Sequence, residues 1–315
     1  LIQTVFVFPG QGSQSVGMMA ELAGRDRVIT DTFAEASDVL GYDLWRLVQD
    51  GPADKLAETL HTQPAMLAAD VATFRYWHNA GGPMPHAVAG HSLGEYAALV
   101  AAQVLDFPTA VRIVRERAQR MQEAVPVGQG AIAAILGLED EQATEVCRAV
   151  AQDEVVEAVN FNAPGQVVIA GHAAAVERAI EACKAAGAKR AVMLPMSVPA
   201  HSSLMRVAAQ GLAATLRNAP FADPQLEFWS PVDASHHATA EEIRDLMISQ
   251  LASPVRWAPL VQQLIAAGYQ AFVECGPGEV LVGLNRRVGR RVETLQHIAL
   301  RDPASVETAL KALSN

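Results

Sequence analysis

The sequence predicts an α/β protein: a mainly parallel sheet flanked by helices, with a small antiparallel unit inserted into it. Three observations carry this expectation. Short apolar runs alternate with helical patterns up to residue 124 and again after residue 198. Between them the order strand, helix, strand, strand, helix, strand matches a ferredoxin-like unit. Half of the 315 residues are apolar and 18% are charged, enough apolar material to bury a sizeable core.

The elements follow in order. Residues 4–8, Thr-Val-Phe-Val-Phe, form an apolar run that ends at Pro9-Gly10 and reads as a buried strand. Helical patterns come next, including 63–80. A second short strand is expected at 85–89, then helices at 94–105 and 109–124. The inserted unit has strands at 130–136, 154–159, 166–171 and 190–194 and helices at 139–152 and 173–187. Its last strand stops at Pro195. Beyond it, helices are expected at 203–217, 241–251, 256–268 and 279–289, and strands at 226–229, 270–275 and 295–299. The expected organisation is a large domain in two parts, 1–124 and 199–315, with the inserted domain at 125–198.

Composition narrows the function classes. The net charge of −10 sets aside a general nucleic-acid binder. Cys147, Cys183 and Cys275 form no CxxC pair, so structural disulfides and a metal site are not expected, and a reducing compartment is. Leu1-Ile2-Gln3 opens directly into a strand-like run, and no uncharged apolar run reaches a membrane-spanning length. A cytoplasmic protein without membrane contact is expected.

Gly90-His91-Ser92-Leu93-Gly94 matches G-x-S-x-G between an apolar run and a helical pattern, the strand–turn–helix context of a nucleophile elbow. Such a turn presents the Ser92 hydroxyl at the end of the sheet. The Leu93 N–H, at a helix start, is placed to donate to a developing oxyanion. Serine needs a base. Of nine histidines, His201 is the best candidate, on a loop where the insert rejoins the larger unit; a loop histidine without a role is the competing reading. His91 abuts the serine, but neighbours on a turn point apart, so it reads as structural.

Arg117 stands out on the helix 109–124. With Val114 at the origin, Arg117 falls at about 300°, between Met121 at about 340° and Ala124 at about 280°. Arg112, Arg115, Glu116, Gln119 and Glu123 occupy the opposite face. A guanidinium on a core-facing arc needs a partner, because an unpaired buried charge costs roughly 3–5 kcal/mol. Two partners fit: an internal Asp or Glu, or a substrate carboxylate held bidentately.

These residues recur with others. Pro9-Gly10-Gln11-Gly12-Ser13-Gln14, Thr62-Gln63-Pro64-Ala65, Gly90 to Glu95, Asn162-Ala163-Pro164-Gly165-Gln166, Val198 to Ser202 and Glu274-Cys275-Gly276-Pro277-Gly278 stand in one order along the chain. Together the chain resembles the malonyl-CoA:acyl carrier protein transacylases of bacterial fatty acid synthesis, over essentially its whole length. The resemblance implies an α/β-hydrolase-like core with a ferredoxin-like insert. It implies Ser92 as nucleophile, His201 as base and Gln11 and Leu93 as oxyanion-hole N–H donors. It makes a backbone carbonyl at Gln250 the histidine's third partner, and it favours Arg117 as the ligand of the malonate carboxylate.

Gln63 is a candidate at the acyl pocket, and Asn162 is expected to hold a loop beside the cleft. The resemblance implies malonyl-CoA as acyl donor and acyl carrier protein as acceptor, in a ping-pong reaction without a metal or other cofactor; the coenzyme A thioester is a substrate. The densest basic cluster, Arg286-Arg287-Val288-Gly289-Arg290-Arg291, reads either as a docking site for that acidic partner or as a solvated surface.

Two other classes share part of this pattern. A serine hydrolase or thioesterase would use the same nucleophile, but has no need of a carboxylate-binding Arg117. A dinucleotide-binding oxidoreductase is suggested by Gly10-Gln11-Gly12, but Ser15 stands where GxGxxG requires its third glycine.

Overall fold

The computed structural model describes residues 2–314; Leu1, the first residue of the expected strand-like opening, lies outside them. Among the described residues ten strands form two sheets. The large sheet holds β1 (Thr4–Phe8), β2 (Ala87–Gly90), β7 (Glu227–Ser230), β8 (Ser235–His237), β9 (Ala271–Glu274) and β10 (Gln296–Ala299), in the order β10-β9-β1-β2-β7-β8. All its pairings are parallel except β7–β8 at the edge.

Side-chain alternation builds two cores around this sheet. Phe6, Phe8 and Val88 face one side and pack with Met66, Val71 and Trp77 of the helix Thr59–Asn79. Val5, Val7, Ala87 and Ala89 face the other side and meet Trp257, Leu260 and Leu264 of the helix Trp257–Ala266. A sheet covered on both faces needs apolar residues at every position, which is why these runs read as continuous rather than alternating.

The second sheet holds β3 (Gly130–Leu136), β4 (Val156–Ala163), β5 (Gln166–His172) and β6 (Arg190–Met193), all antiparallel, in the order β4-β5-β3-β6. The helices Asp140–Val150 and Ala173–Ala185 cover one face through Ala143, Cys147, Ala179 and Cys183. The other face presents Ile132, Val159 and Ala170 with Leu194 and Met196 beside them. Strand β4 is also joined to the larger unit: Phe161 N–H donates to the Val255 carbonyl at 2.9 Å, and Val255 N–H to the Val159 carbonyl at 2.7 Å.

Several boundaries differ from expectation, each for a local reason. The long helix begins at Thr59, not 63, and carries Pro64 inside it. Proline favours a first turn, but here the Glu58 carbonyl accepts from His61 and Thr62 and extends the helix upstream. The helix Gly94–Ala101 stops short of 105, because Gln103 takes φ 60° and Val104 and Leu105 both turn back to the Leu99 carbonyl. Strand β4 continues past 159, so Asn162 lies in a strand and not on a loop. Strand β8 and the closing helix Pro303–Leu313 are additional; the helix has a legible start, since Asp302 Oδ1 accepts the Ser305 N–H at 2.7 Å just before Pro303.

The parallel register pairs Phe8 with Gly90, so the segments after β1 and β2 leave the sheet side by side. They are very close. A Cβ on Gly94 would lie 2.0 Å from the Phe8 carbonyl oxygen, and one on Gly90 would lie 2.1 Å from the Gly94 carbonyl carbon. Gly94→Ala is therefore expected to destabilise the fold by about 3 kcal/mol or more. Gly283, exposed within the helix Val280–Val288 with nothing near its Cβ position, provides the contrast. Gly283→Ala should add about 1 kcal/mol. Thermal unfolding of both variants checks the pair, and an unchanged Tm for Gly94→Ala would contradict the close packing.

Candidate active site

Ser92 sits between β2 and the helix Gly94–Ala101 with φ 53°, in the left-handed region. Gly90 and Gly94 supply the close approach, while the serine itself takes the unusual backbone angle. That angle turns Oγ away from the sheet and toward His201, whose Nε2 lies 2.6 Å away. The Gly94 N–H returns to the His91 carbonyl and the Glu95 N–H to the Ser92 carbonyl, closing the corner into the helix. Among the described residues neither the Leu93 nor the Gln11 N–H is taken by a backbone carbonyl. Both residues line the cleft beside Ser92, as a pair of oxyanion donors requires.

His201 also has positive φ, 66°. Its Nδ1 lies 3.2 Å from the Gln250 carbonyl and 3.0 Å from the Ser253 carbonyl. Two acceptors at Nδ1 require the hydrogen there, which leaves Nε2 free to accept the serine proton. The following turn is clamped from the antiparallel sheet: Glu157 of β4 accepts from the Ser203 N–H at 2.8 Å and from Ser203 Oγ at 2.6 Å. Burial, and next the neighbouring Arg117 charge, push the His201 pKa down to about 3.

Arg117 is 1% exposed. Its guanidinium donates to Gln63 Oε1 at 2.6 Å, Gln250 Oε1 at 3.2 Å and Ser92 Oγ at 3.3 Å, and it lies over the Tyr96 ring at 5.8 Å. Every one of these acceptors is neutral. Its Nε has no partner among the described residues. The nearest acid in the network, Glu95, is separated from it by the Gln250 amide: Gln250 Nε2 donates to Glu95 Oε2 at 2.8 Å. Glu95 is buried and also accepts from Ser230 Oγ at 2.6 Å. Burial raises its pKa to about 7. Among the described residues no carboxylate, one of the two partners open from the sequence, is in direct contact with Arg117.

The other candidates also have defined places. Gln63 is buried; its amide nitrogen donates to Thr59 Oγ1 at 2.9 Å, and that hydroxyl donates in turn to Gln11 Oε1 at 3.2 Å. Arg117, Gln63, Thr59 and Gln11 therefore form one hydrogen-bonded chain. His91 Nε2 meets Asn162 Oδ1 at 2.8 Å, and its ring packs on Trp257. This pair ties the elbow to the end of β4, consistent with a structural His91. Arg286, Arg287, Arg290 and Arg291 are exposed, and Arg287 reaches Gln166 Oε1 and the Pro164 carbonyl at the turn between β4 and β5.

Ser92, His201 and Arg117 share a cleft of about 950 Å3. The large unit contributes one wall; Ile132, Val159, Val168, Leu194 and Met196 of the antiparallel subdomain contribute the other. Sequence reasoning missed Glu95, Ser230, the Gln250 side chain and the Ser253 carbonyl. Glu95 carried a signal, as an acid one residue beyond the G-x-S-x-G motif among Tyr96, Ala97 and Ala98. A backbone carbonyl such as that of Ser253 carries none.

A strained serine, an imidazole held as a neutral acceptor and a buried cation in one cleft suit acyl transfer to and from an oxygen nucleophile. Comparison with known proteins agrees. Residues 5–303 match the acyl transferase domain family. The chain is 52% identical, over 98% of its length and 99% of the relative's, to the malonyl CoA-acyl carrier protein transacylase of Salmonella typhimurium. An acyl carrier protein S-malonyltransferase from Vibrio cholerae superposes with a TM-score of 0.93 at 53% identity, covering 97% of this chain and 99% of that one. A malonyl-transacylase solved in complex with a type II PKS acyl-carrier protein superposes with a TM-score of 0.96 at 52% identity, covering 98% and 99%. With the same fold, the same length and about half its residues in common with these proteins, the chain belongs to the malonyl CoA-acyl carrier protein transacylase family.

Proposed function

We propose that this chain moves a malonyl group from coenzyme A to the phosphopantetheine thiol of an acyl carrier protein, through an ester on Ser92. One observation carries the reading: Arg117, buried and without a carboxylate in contact, lies 3.3 Å from the oxygen that would bear the acyl group. A guanidinium so placed can receive the free carboxylate of a malonyl ester, with its unpartnered Nε as a further donor. Gln63 and Gln250 hold it in place.

Ser92 Oγ attacks the thioester carbonyl carbon as its proton passes to His201 Nε2. The carbonyl electrons move onto oxygen, where the Gln11 and Leu93 N–H groups stabilise them; one such donor contributes about 3–4 kcal/mol. The carbon–sulfur bond then breaks, and the proton on Nε2 goes to the departing sulfur. The carrier protein's thiol repeats these steps in reverse order. His201 resists protonation at rest because it is buried beside Arg117. The oxyanion forms as the proton arrives, so the imidazolium meets a compensating charge only during reaction. The Gln250 and Ser253 carbonyls hold it in the reactive tautomer.

The relatives' activity and the solved carrier-protein complex support this assignment. Three buried, unpaired cysteines support a cytoplasmic location, where thiols stay reduced. Among the described residues no helix is long and apolar enough to cross a membrane. The exposed arginines near the β4–β5 turn offer the acidic carrier protein a complementary surface at the cleft rim.

Intact mass spectrometry after mixing with malonyl-CoA tests the reading: a malonyl adduct on Ser92 is expected, absent in Ser92→Ala. Rapid release of free malonate without carrier protein would instead indicate a hydrolase. Arg117→Ala should lower kcat/KM for malonyl-CoA roughly 100- to 1,000-fold. Acetyl transfer, which has no carboxylate to lose, should fall far less; equal losses would refute the carboxylate site. Charge reversal at Arg287 and Arg290 should raise KM for the carrier protein and leave that for malonyl-CoA unchanged.

A histidine whose pKa is depressed stays neutral until pH falls to its folded value. The 15N ring shifts of His201 should therefore report a neutral imidazole protonated at Nδ1 from pH 8 to 5. A transition near the ordinary 6.5 would contradict this.

A further inference from the structure

The buried network behind Arg117 contains one acid that the transfer steps above do not use. Glu95 is 1% exposed. Its two oxygens accept from neutral donors only, Ser230 Oγ at 2.6 Å and Gln250 Nε2 at 2.8 Å. The same Gln250 amide presents Oε1 to Arg117 at 3.2 Å and donates to the Ser92 carbonyl at 2.8 Å. One amide thus separates the buried Arg117 guanidinium from a buried carboxylate. We propose that Glu95 is the exchangeable counter-charge of the acyl-carboxylate site: it balances Arg117 while the pocket is empty and takes up a proton when a carboxylate-bearing acyl group binds.

The argument is one of charge balance, and it rests on the assignment of Arg117 to the acyl carboxylate. In the empty site one guanidinium and one carboxylate offset each other across the amide. Arrival of an acyl carboxylate at Arg117 places two negative charges around a single positive one, all out of water. Like charges sharing a buried site cannot both remain ionised without a large electrostatic cost. The acyl carboxylate, in contact with the guanidinium, keeps its charge, and Glu95, one amide further away, takes the proton.

The surrounding groups do not remove this need. Besides Arg117, the titratable groups facing Glu95 are Tyr96 on its own helix, with a phenol pushed up to about 12, and Asp233, which adds negative charge and is itself paired with His237 at 3.0 Å. Burial already sets Glu95 near 7, so a modest change in its surroundings alters its protonation at neutral pH. The proton comes from solvent and has a place on Oε1, which can then donate to Ser230 Oγ as that hydroxyl hydrogen turns away. Oε2 continues to accept from Gln250, so the amide that positions Arg117 keeps its orientation in both states.

Calorimetric titration of Ser92→Ala, which binds without turnover, tests this in two buffers of different ionisation enthalpy near pH 7.5. Malonyl-CoA should bind with an uptake of roughly 0.5–0.75 proton per site, the fraction of Glu95 still ionised at that pH. Acetyl-CoA should bind with none, and adding Glu95→Gln should abolish the uptake for malonyl-CoA. Infrared difference spectra of the chain with Glu95 intact give an independent readout: a protonated carboxyl band should appear with malonyl-CoA alone. Arg117-dependent binding of malonyl-CoA without proton uptake, an uptake unchanged by Glu95→Gln, or the absence of that band would overturn the proposal and leave the transferase reading standing. Binding of malonyl-CoA indifferent to Arg117→Ala would remove the carboxylate site itself, and this proposal with it.

Discussion

The site depends on the close contact between the segments that follow β1 and β2. Parallel pairing of Phe8 with Gly90 releases both segments at one end of the sheet. Gly94 then lies so near the Phe8 carbonyl that no side chain fits there. This contact aims Ser92 and brings Gln11 and Leu93 to the same side of it. Strain at the serine, with φ 53°, is tolerated because the sheet on one side and the helix Gly94–Ala101 on the other over-determine the turn.

Around that corner the protein manages buried charge with neutral intermediaries. Arg117 is held by two glutamine side chains and the serine hydroxyl, not by an acid. Glu95 is kept one amide away. Contact between the two would give a closed internal ion pair, with the guanidinium saturated before any substrate arrived. The same positive charge helps keep His201 unprotonated, and two backbone carbonyls then decide which ring nitrogen carries the hydrogen. A carboxylate at that position would favour the imidazolium at rest; carbonyls orient the ring while adding no charge.

The antiparallel subdomain contributes more than a wall. Its strand β4 is bonded to the Val255 backbone, meets His91 through Asn162, and clamps the turn after His201 through Glu157. Displacement of this sheet would disturb the Ser92 turn and the His201 turn together as well as open the cleft. β4 runs longer than its apolar pattern suggests: Asn160, Phe161 and Ala163 stay paired with β5, and Phe161 and Asn162 are also bonded to the other unit.

Features that are local in the chain were legible from residue order. The β1 run, the elbow at Ser92 and the ferredoxin-like order of the insert each appear within a few consecutive positions or one simple period. The inward arc of Arg117 follows from helical spacing alone, and so does the need for a partner. Which partner it has could not be read there, because Gln63, Gln250 and Ser92 lie 54, 133 and 25 residues away. The Ser253 carbonyl was invisible for a stronger reason: backbone acceptors are identical at every residue, and only folding selects one. Residue types and their periodicity specified the serine turn, the buried cation and the two sheets. Distances, tautomer and charge balance arise from contacts between remote segments, and only the tertiary structure brings those segments together.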